Sequence, residues 1–252
     1  MNAAQKERYS RQIRLSQIGE AGQQAIIDAS VLIIGVGGLG SPAALYLAAA
    51  GVGRLVLNDF DIVEVSNLQR QIIHQNSALG EHKVVSGKNS INAINPECQV
   101  DLIPYQLEGD ELCAMINEVD MVLDCSDNYP TRFEVNRLCV ESGTVLVSGA
   151  AIRLEGQLMN YQPVESSSCY QCLYSQVYED AESCEMEGVL GPVVGVIGTL
   201  QAVQALLILA GQGAELLNKL VLFDALAMEW RSITLPKNPK CPVCSLDKNP
   251  GK

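Results

Sequence analysis

A short apolar run, Ser30-Val31-Leu32-Ile33-Ile34, opens directly onto four closely spaced glycines, Gly35, Gly37, Gly38 and Gly40. β-branched apolar residues in a row predict a buried strand, and glycines at its end predict a tight turn. Pro42 then stands in a first helical turn, where proline is tolerated, and the helix formers Ala43 to Ala50 run to a stop at Gly51. Leu55-Val56-Leu57 makes a second strand that delivers Asn58 and Asp59 to its end. Strand, turn, helix and strand form a βαβ unit, whose parallel sheet requires a right-handed crossover.

The alternation continues along the chain. Val100 to Ile103, Met121 to Leu123 ending at Asp124, and Val145 to Val147 read as strands, with helices at Glu111 to Val119 and Thr131 to Ser142. Gly156 to Tyr161 and Leu220 to Phe223 read as strands of a more mixed region. The expected fold class is α/β: a Rossmann-like, doubly wound, largely parallel sheet followed by a mixed C-terminal sheet region. At about 150 residues per domain, 252 residues allow one large domain or two small ones. We read a single domain over 1–252, with a helical arm at 1–29, a nucleotide-binding half at 30–150 and a mixed-sheet half at 151–252. Segment 174–187 carries Glu179, Asp180, Glu182, Glu185 and Glu187 with little to bury, and is expected to be a crossover loop. Val189 to Ala210 has the length of a membrane span and no charge, but Gln201, Gln204 and its glycines suit a core helix packed on the sheet.

Seventeen Lys and Arg against 29 Asp and Glu give a net charge of −12, the opposite of what a phosphate-binding surface on nucleic acid requires. Neither nucleic acid nor a membrane is expected as a partner. Residues Met1 to Ala25 mix charges with polar groups and lack the apolar core of a signal peptide. Nine cysteines are too sparse and odd in number for a secreted disulfide scaffold, so a cytoplasmic location is expected.

The turn Gly35-Val36-Gly37-Gly38-Leu39-Gly40 matches Gly-x-Gly-x-x-Gly in its meaningful context, after a strand and before a helix. Its backbone N–H groups and the helix N-terminus can cradle an anion. Asp59 lies roughly 20 residues further on, where a carboxylate can accept from ribose hydroxyls. The turn alone does not separate a nicotinamide dinucleotide from ATP. Asp61, Ser66, Asn67, Gln69 and Arg70 crowd the next strand end, and Lys83 follows. Hydride transfer needs no such cations, whereas nucleotidyl transfer uses Arg and Lys against charge building on a phosphate. Asp127, just past Asp124, offers Mg²⁺ a hard oxygen ligand.

Two cysteine pairs, Cys169-x-x-Cys172 and Cys241-x-x-Cys244, can each present two thiolates at one corner of a tetrahedral zinc ion and so staple the tail onto the body. A redox-active Cys-x-x-Cys is the alternative, though such motifs occur singly. Cys98, Cys113, Cys125 and Cys139 fall in or beside apolar segments and read as small core residues. Cys184 differs, because it lies among Glu182, Glu185 and Glu187, whose charge raises a thiol pKa.

The strings Arg8-Tyr9-Ser10-Arg11-Gln12, Gly35 to Gly40, Asp59-Phe60-Asp61, Ser66-Asn67-Leu68-Gln69-Arg70-Gln71 and Asp124-Cys125-Ser126-Asp127-Asn128 occur in this order. Together they resemble the MoeB and ThiF adenylyltransferases of molybdopterin and thiamine biosynthesis, bacterial relatives of ubiquitin-activating enzymes. The resemblance implies that Gly38, Asp59, Ser66, Asn67, Arg70, Lys83, Asp127 and Asn128 bind ATP, with Asp127 also serving magnesium and catalysis. It implies zinc at Cys169, Cys172, Cys241 and Cys244, and an Arg11 donated from the second protomer of a homodimer. It further implies that a cysteine in the region of Cys184 joins covalent sulfur or acyl chemistry. His82 departs from the family pattern, which often has proline there.

The implied activity is ATP-dependent adenylylation of the C-terminal glycine carboxylate of a small ubiquitin-like sulfur carrier ending in Gly-Gly. Sulfur would follow from a donor such as a cysteine desulfurase or rhodanese. Gly191 to Gly195 and Trp230-Arg231-Ser232 resemble the thiamine branch, and Gly149 to Gln157 the molybdopterin branch. The alternatives are a nicotinamide-dependent oxidoreductase, a non-catalytic zinc-stapled scaffold that holds nucleotide, and activation of a small molecule or a tRNA base.

Overall fold

The computed structural model describes residues 1–174 and 187–245. Eight strands form one sheet: β1 Ser30–Ile34, β2 Arg54–Asn58, β3 Gln99–Ile103, β4 Met121–Asp124, β5 Val145–Ile152, β6 Glu155–Tyr161, β7 Lys219–Asp224 and β8 Glu229–Thr234. Their order is β3-β2-β1-β4-β5-β6-β7-β8, parallel from β3 to β5 and antiparallel from there on. The doubly wound parallel half is the architecture expected from the strand and helix alternation, and the C-terminal region expected to be mixed is antiparallel throughout.

Alternate residues of β1 serve opposite faces. Val31 and Ile33 join a core with Leu47 and Ala48 of helix Gly40–Ala50, Ile91 of helix Lys83–Ile94 and Ile197 of helix Gly191–Leu209. Leu32 and Ile34 join a second core with Leu112 and Ile116 of helix Gly109–Asn117 and with Val135 and Leu138 of helix Tyr129–Ser142. Burial on both faces is why the strand reads as an unbroken apolar run. The N-terminal segment is tied down by Tyr9, which is buried and accepts from Asn95 Nδ2 at 3.0 Å.

By length and hydropathy alone, helix Gly191–Leu209 could cross a bilayer. Instead it lies against the sheet, and Gln201 at its centre is fully buried, donating to the Asp124 and Val147 carbonyls at 2.8 and 3.2 Å. Val196, Leu200, Val203, Leu206 and Leu207 remain half-buried or exposed on its other side.

Candidate active site

The chain leaves β1 to build β2 and β3 on one side, then returns to build β4 on the other. Ligands in such sheets bind at that reversal, beyond the carboxyl ends of the strands. The register makes this concrete: Ile34 sits opposite both Asn58 and Asp124, so Gly35, Asp59 and Cys125 leave the sheet side by side. Gly35 has φ +88°, and a Cβ there would lie 2.8 Å from the Cys125 carbonyl oxygen. A Cβ at Gly38 would lie 2.7 Å from a methyl of Val194, so only glycine lets the long helix close on the turn.

A cavity of about 850 Å³ opens here, in the size range of a ligand site. Gly35, Gly37, Gly38, Asp59, Asp61, Arg70, Lys83, Asp127 and Asn128 line it, so most of the residues singled out from the sequence converge. Gly40, Ser66, Asn67 and Gln69 do not line it. Gly40 begins the helix behind the turn, and the Asn67 and Ser66 side chains turn back onto Glu64. The Ser66 carbonyl instead accepts from the Arg70 guanidinium at 3.1 Å and so steers that cation. Arg11 is exposed on helix Ser10–Ile13 and does not line the cavity of its own chain.

Asp59 lines the cavity with each carboxylate oxygen held by a backbone N–H. Its Oδ2 accepts from the Val36 N–H at 2.8 Å and its Oδ1 from the Asp61 N–H at 2.9 Å. Burial raises its pKa, against the opposing pull of Lys83 and these two amides. Lys83, at the start of its helix, is buried and donates to Asp61 Oδ2 at 2.7 Å. Asp127 is exposed, and its carboxylate accepts from Asn128 Nδ2 at 3.4 Å. Asn128 caps helix Tyr129–Ser142 by accepting from the Thr131 N–H at 3.0 Å.

Arg132 was not anticipated. It lines the cavity yet is buried, donating to the Gly149 carbonyl at 2.7 Å, to the Ser126 carbonyl and to Asp124 Oδ2 at 3.4 Å. Burial opposes its charge, but Asp124 and other neighbours outweigh this and raise its pKa. Asp124 in turn accepts from Ser126 Oγ at 2.6 Å and Ser148 Oγ at 2.8 Å. The network shapes the loop that carries Asp127. Arg132→Met would leave the buried Asp124 carboxylate without its cation, with the two serine hydroxyls still donating to it, and would take a donor from two carbonyls, at about 3–5 kcal/mol. Thermal unfolding should register this as a fall of about 10 °C, and an unchanged melting temperature would contradict it.

The cavity continues past the glycine turn along Ala150 to Ile152, Gly156, Gln157, Leu222 and Phe223, beneath Tyr129, Tyr170 and Tyr174. Tyr170 and Tyr174 pack with ring centroids 4.9 Å apart, and Tyr174 donates to Gln157 Oε1 at 3.0 Å. Both stand on or beside helix Tyr170–Leu173, which carries Cys172 and is preceded by Cys169 at its N-cap.

The Sγ atoms of Cys169, Cys172, Cys241 and Cys244 lie within 4.8 Å of one another. Cys169 and Cys241 are 3.6 Å apart, and Cys172 and Cys244 are 3.4 Å apart. These spacings are far beyond a disulfide and near the edge, about 3.8 Å, of a tetrahedron with 2.3 Å zinc–sulfur bonds. The Asn238 N–H donates to Cys172 Sγ at 3.4 Å, favouring a thiolate. This donor set can hold zinc. Cys98, Cys125 and Cys139 are buried, and burial raises their pKa values, as befits core thiols. Cys113 is only half-buried, packed at the edge of the second core. Cys184 and most of segment 174–187 lie outside the described residues.

Comparison with solved structures finds the same fold in MccB of Escherichia coli, determined with AMPCPP and MccA: TM-score 0.83, 22% identity, 97% of this chain and 77% of that one covered. Closer in sequence is the molybdopterin-synthase adenylyltransferase of Escherichia coli, 45% identical over 237 residues, which are 94% of this chain and 95% of that protein. The sulfur carrier protein ThiS adenylyltransferase of the same organism is 45% identical over 244 residues, 97% of each chain. The SAMP-activating enzyme E1 of Haloferax volcanii is 37% identical over 246 residues, 97% of this chain and 90% of that protein. The ThiF family model matches residues 9–243. With the switch-point cavity, the glycine turn and these identities over nearly its whole length, the chain belongs to the ThiF family.

Proposed function

We propose that this enzyme adenylylates the C-terminal carboxylate of a small ubiquitin-like sulfur carrier, using ATP. The observation that carries the reading is the gathering of Arg70, Lys83 and Asp127 with the glycine turn around one cavity, which then runs on along β5 to β7. Triphosphate fits the first part and an extended peptide tail the second. The names of the two Escherichia coli relatives and the Haloferax volcanii relative support a carrier protein as the acceptor.

In this reaction a carboxylate oxygen of the carrier bonds to the α-phosphorus as the bond to pyrophosphate breaks. A carboxylate is already ionised at neutral pH, so no general base is needed. The turn amides of Gly37 and Gly38 hold phosphate oxygens, Arg70 and Lys83 oppose the growing negative charge, and the cavity walls keep the tail in line. Ser66 and Asn67 act by holding Arg70 through their carbonyls, and Asn128 by capping the helix after the loop that carries Asp127. Asp127 would hold Mg²⁺, which when bound neutralises phosphate charge. The four cysteines would hold zinc in a closed, structural site. The acyl-adenylate would then pass to a sulfur donor such as a cysteine desulfurase or rhodanese.

A homodimer is part of the proposal. The half-exposed apolar side of helix Gly191–Leu209 would supply a face for a second copy, and Arg11, exposed and outside the lining of its own cavity, would complete the partner's site.

Purified protein offered molybdopterin-type and thiamine-type carriers with ATP tests the reading. Mass spectrometry should find one carrier heavier by an adenylate at its C-terminus. Modification of neither, together with pyrophosphate exchange that ignores both, would reject it. Adenylylation needs no thiol, so Cys184→Ala should keep pyrophosphate exchange within about twofold of wild type. Loss of exchange in that folded variant would force Cys184 into the first step.

A further inference from the structure

Beneath the glycine turn lies His74, buried and outside both the cavity lining and the chemistry above. Its Nε2 is 3.0 Å from the Val36 carbonyl oxygen and its Nδ1 is 3.0 Å from Ser86 Oγ. A carbonyl can only accept, so Nε2 carries the hydrogen, and in the neutral ring Nδ1 accepts from the Ser86 hydroxyl. Burial pushes the imidazole pKa down to about 4, which keeps this neutral form near pH 7. The Val36 N–H is meanwhile bound by Asp59 Oδ2 at 2.8 Å. Val36 is therefore held by its N–H and its carbonyl together.

In a planar trans peptide the carbonyl of one residue and the N–H of the next point in opposite directions. Drawing the Val36 carbonyl down onto His74 turns the Gly37 N–H the other way, on the side where Gly37 lines the cavity. Among the described residues, the N–H groups of Gly37 and Gly38 have no hydrogen-bond partner. We infer that His74 is a positioning residue for nucleotide binding: it clamps the peptide between Val36 and Gly37 so that the Gly37 N–H meets a phosphate oxygen. Ser86, on helix Lys83–Ile94, fixes the ring, so the helix that supplies Lys83 also aims the turn. The inference rests on the adenylyltransferase reading and specifies how its phosphate cradle is held ready.

The test is equilibrium binding of a non-hydrolysable ATP analogue with Mg²⁺ to the full chain, with melting temperature recorded in parallel. His74→Phe keeps the bulk and removes the donor, and should weaken binding about tenfold. His74→Gln returns an N–H at a similar reach, and should bind within about threefold of wild type at a melting temperature like that of His74→Phe. Ser86→Ala should weaken binding about threefold by freeing the ring. Equal binding by His74→Phe and wild type overturns the clamp, as does His74→Gln binding no better than His74→Phe. Should His74→Phe not fold, Ser86→Ala decides, and wild-type binding by that variant overturns the clamp. Wild-type protein that binds no analogue at all rejects the nucleotide reading instead.

Discussion

Arg70→Ala and Asp127→Ala are each expected to lower carrier-dependent ATP–pyrophosphate exchange by about 10² to 10³. Among the described residues the Arg70 guanidinium donates to the Ser66 carbonyl, and Asp127 is exposed just past the end of β4. Neither is part of either hydrophobic core, so melting temperatures should move by less than about 3 °C. The size of the rate loss follows from preorganisation, because both groups are already in place before charge develops on the phosphate. Rates within tenfold of wild type in both variants would remove the assignment of this cavity to phosphate chemistry.

The second large effect concerns the cysteine cluster. Zinc should be found at one ion per chain in protein purified without chelator. Metal binding to a preformed thiolate site is also folding free energy, commonly many kcal/mol for structural zinc. Cys241→Ser removes a fully buried ligand and should lower the melting temperature by more than about 10 °C. Exchange activity of the variant measured well below that temperature should survive in large part, since no cysteine of the cluster lines the nucleotide cavity. Metal analysis without stoichiometric zinc would remove the zinc assignment, and a disulfide between Cys169 and Cys172 would favour redox chemistry instead.

Local features were legible in the sequence. The strand Ser30–Ile34, its glycine turn and the cysteine pairs declare themselves because their constraints act within a few residues. Helix Lys83–Ile94 does not: Gly87, Asn89 and adjacent Val84 and Val85 are poor helix formers. Its glycine suits the close packing there, since a Cβ would lie 3.3 Å from Leu57 and Val36 side-chain atoms. Strand β8 is exposed along its whole length and so offers no alternation to read. Arg132 was hidden for a different reason. Its partners Asp124 and Ser126, at and just past the end of β4, and Gly149, in the middle of β5, are brought together only by the pairing of β4 with β5. Asp59 was found as a site residue, but its grip on the Val36 amide depends on the register of β1 and β2.

The cysteine cluster also bears on the order in which this chain completes itself. Its contacts join residues 72 positions apart, across the long apolar helix and the last two strands. Bringing the ends of so long a loop together costs about 4 kcal/mol in chain entropy unless the intervening segment has already folded. Each Cys-x-x-Cys half alone offers two of the four thiolates. At the proposed zinc site, high-affinity metal capture would therefore come last, once β6, β7 and β8 have zipped up and returned the tail to helix Tyr170–Leu173. A chain stalled before that point would hold metal weakly, and its metal content would report on whether synthesis had reached the finished fold.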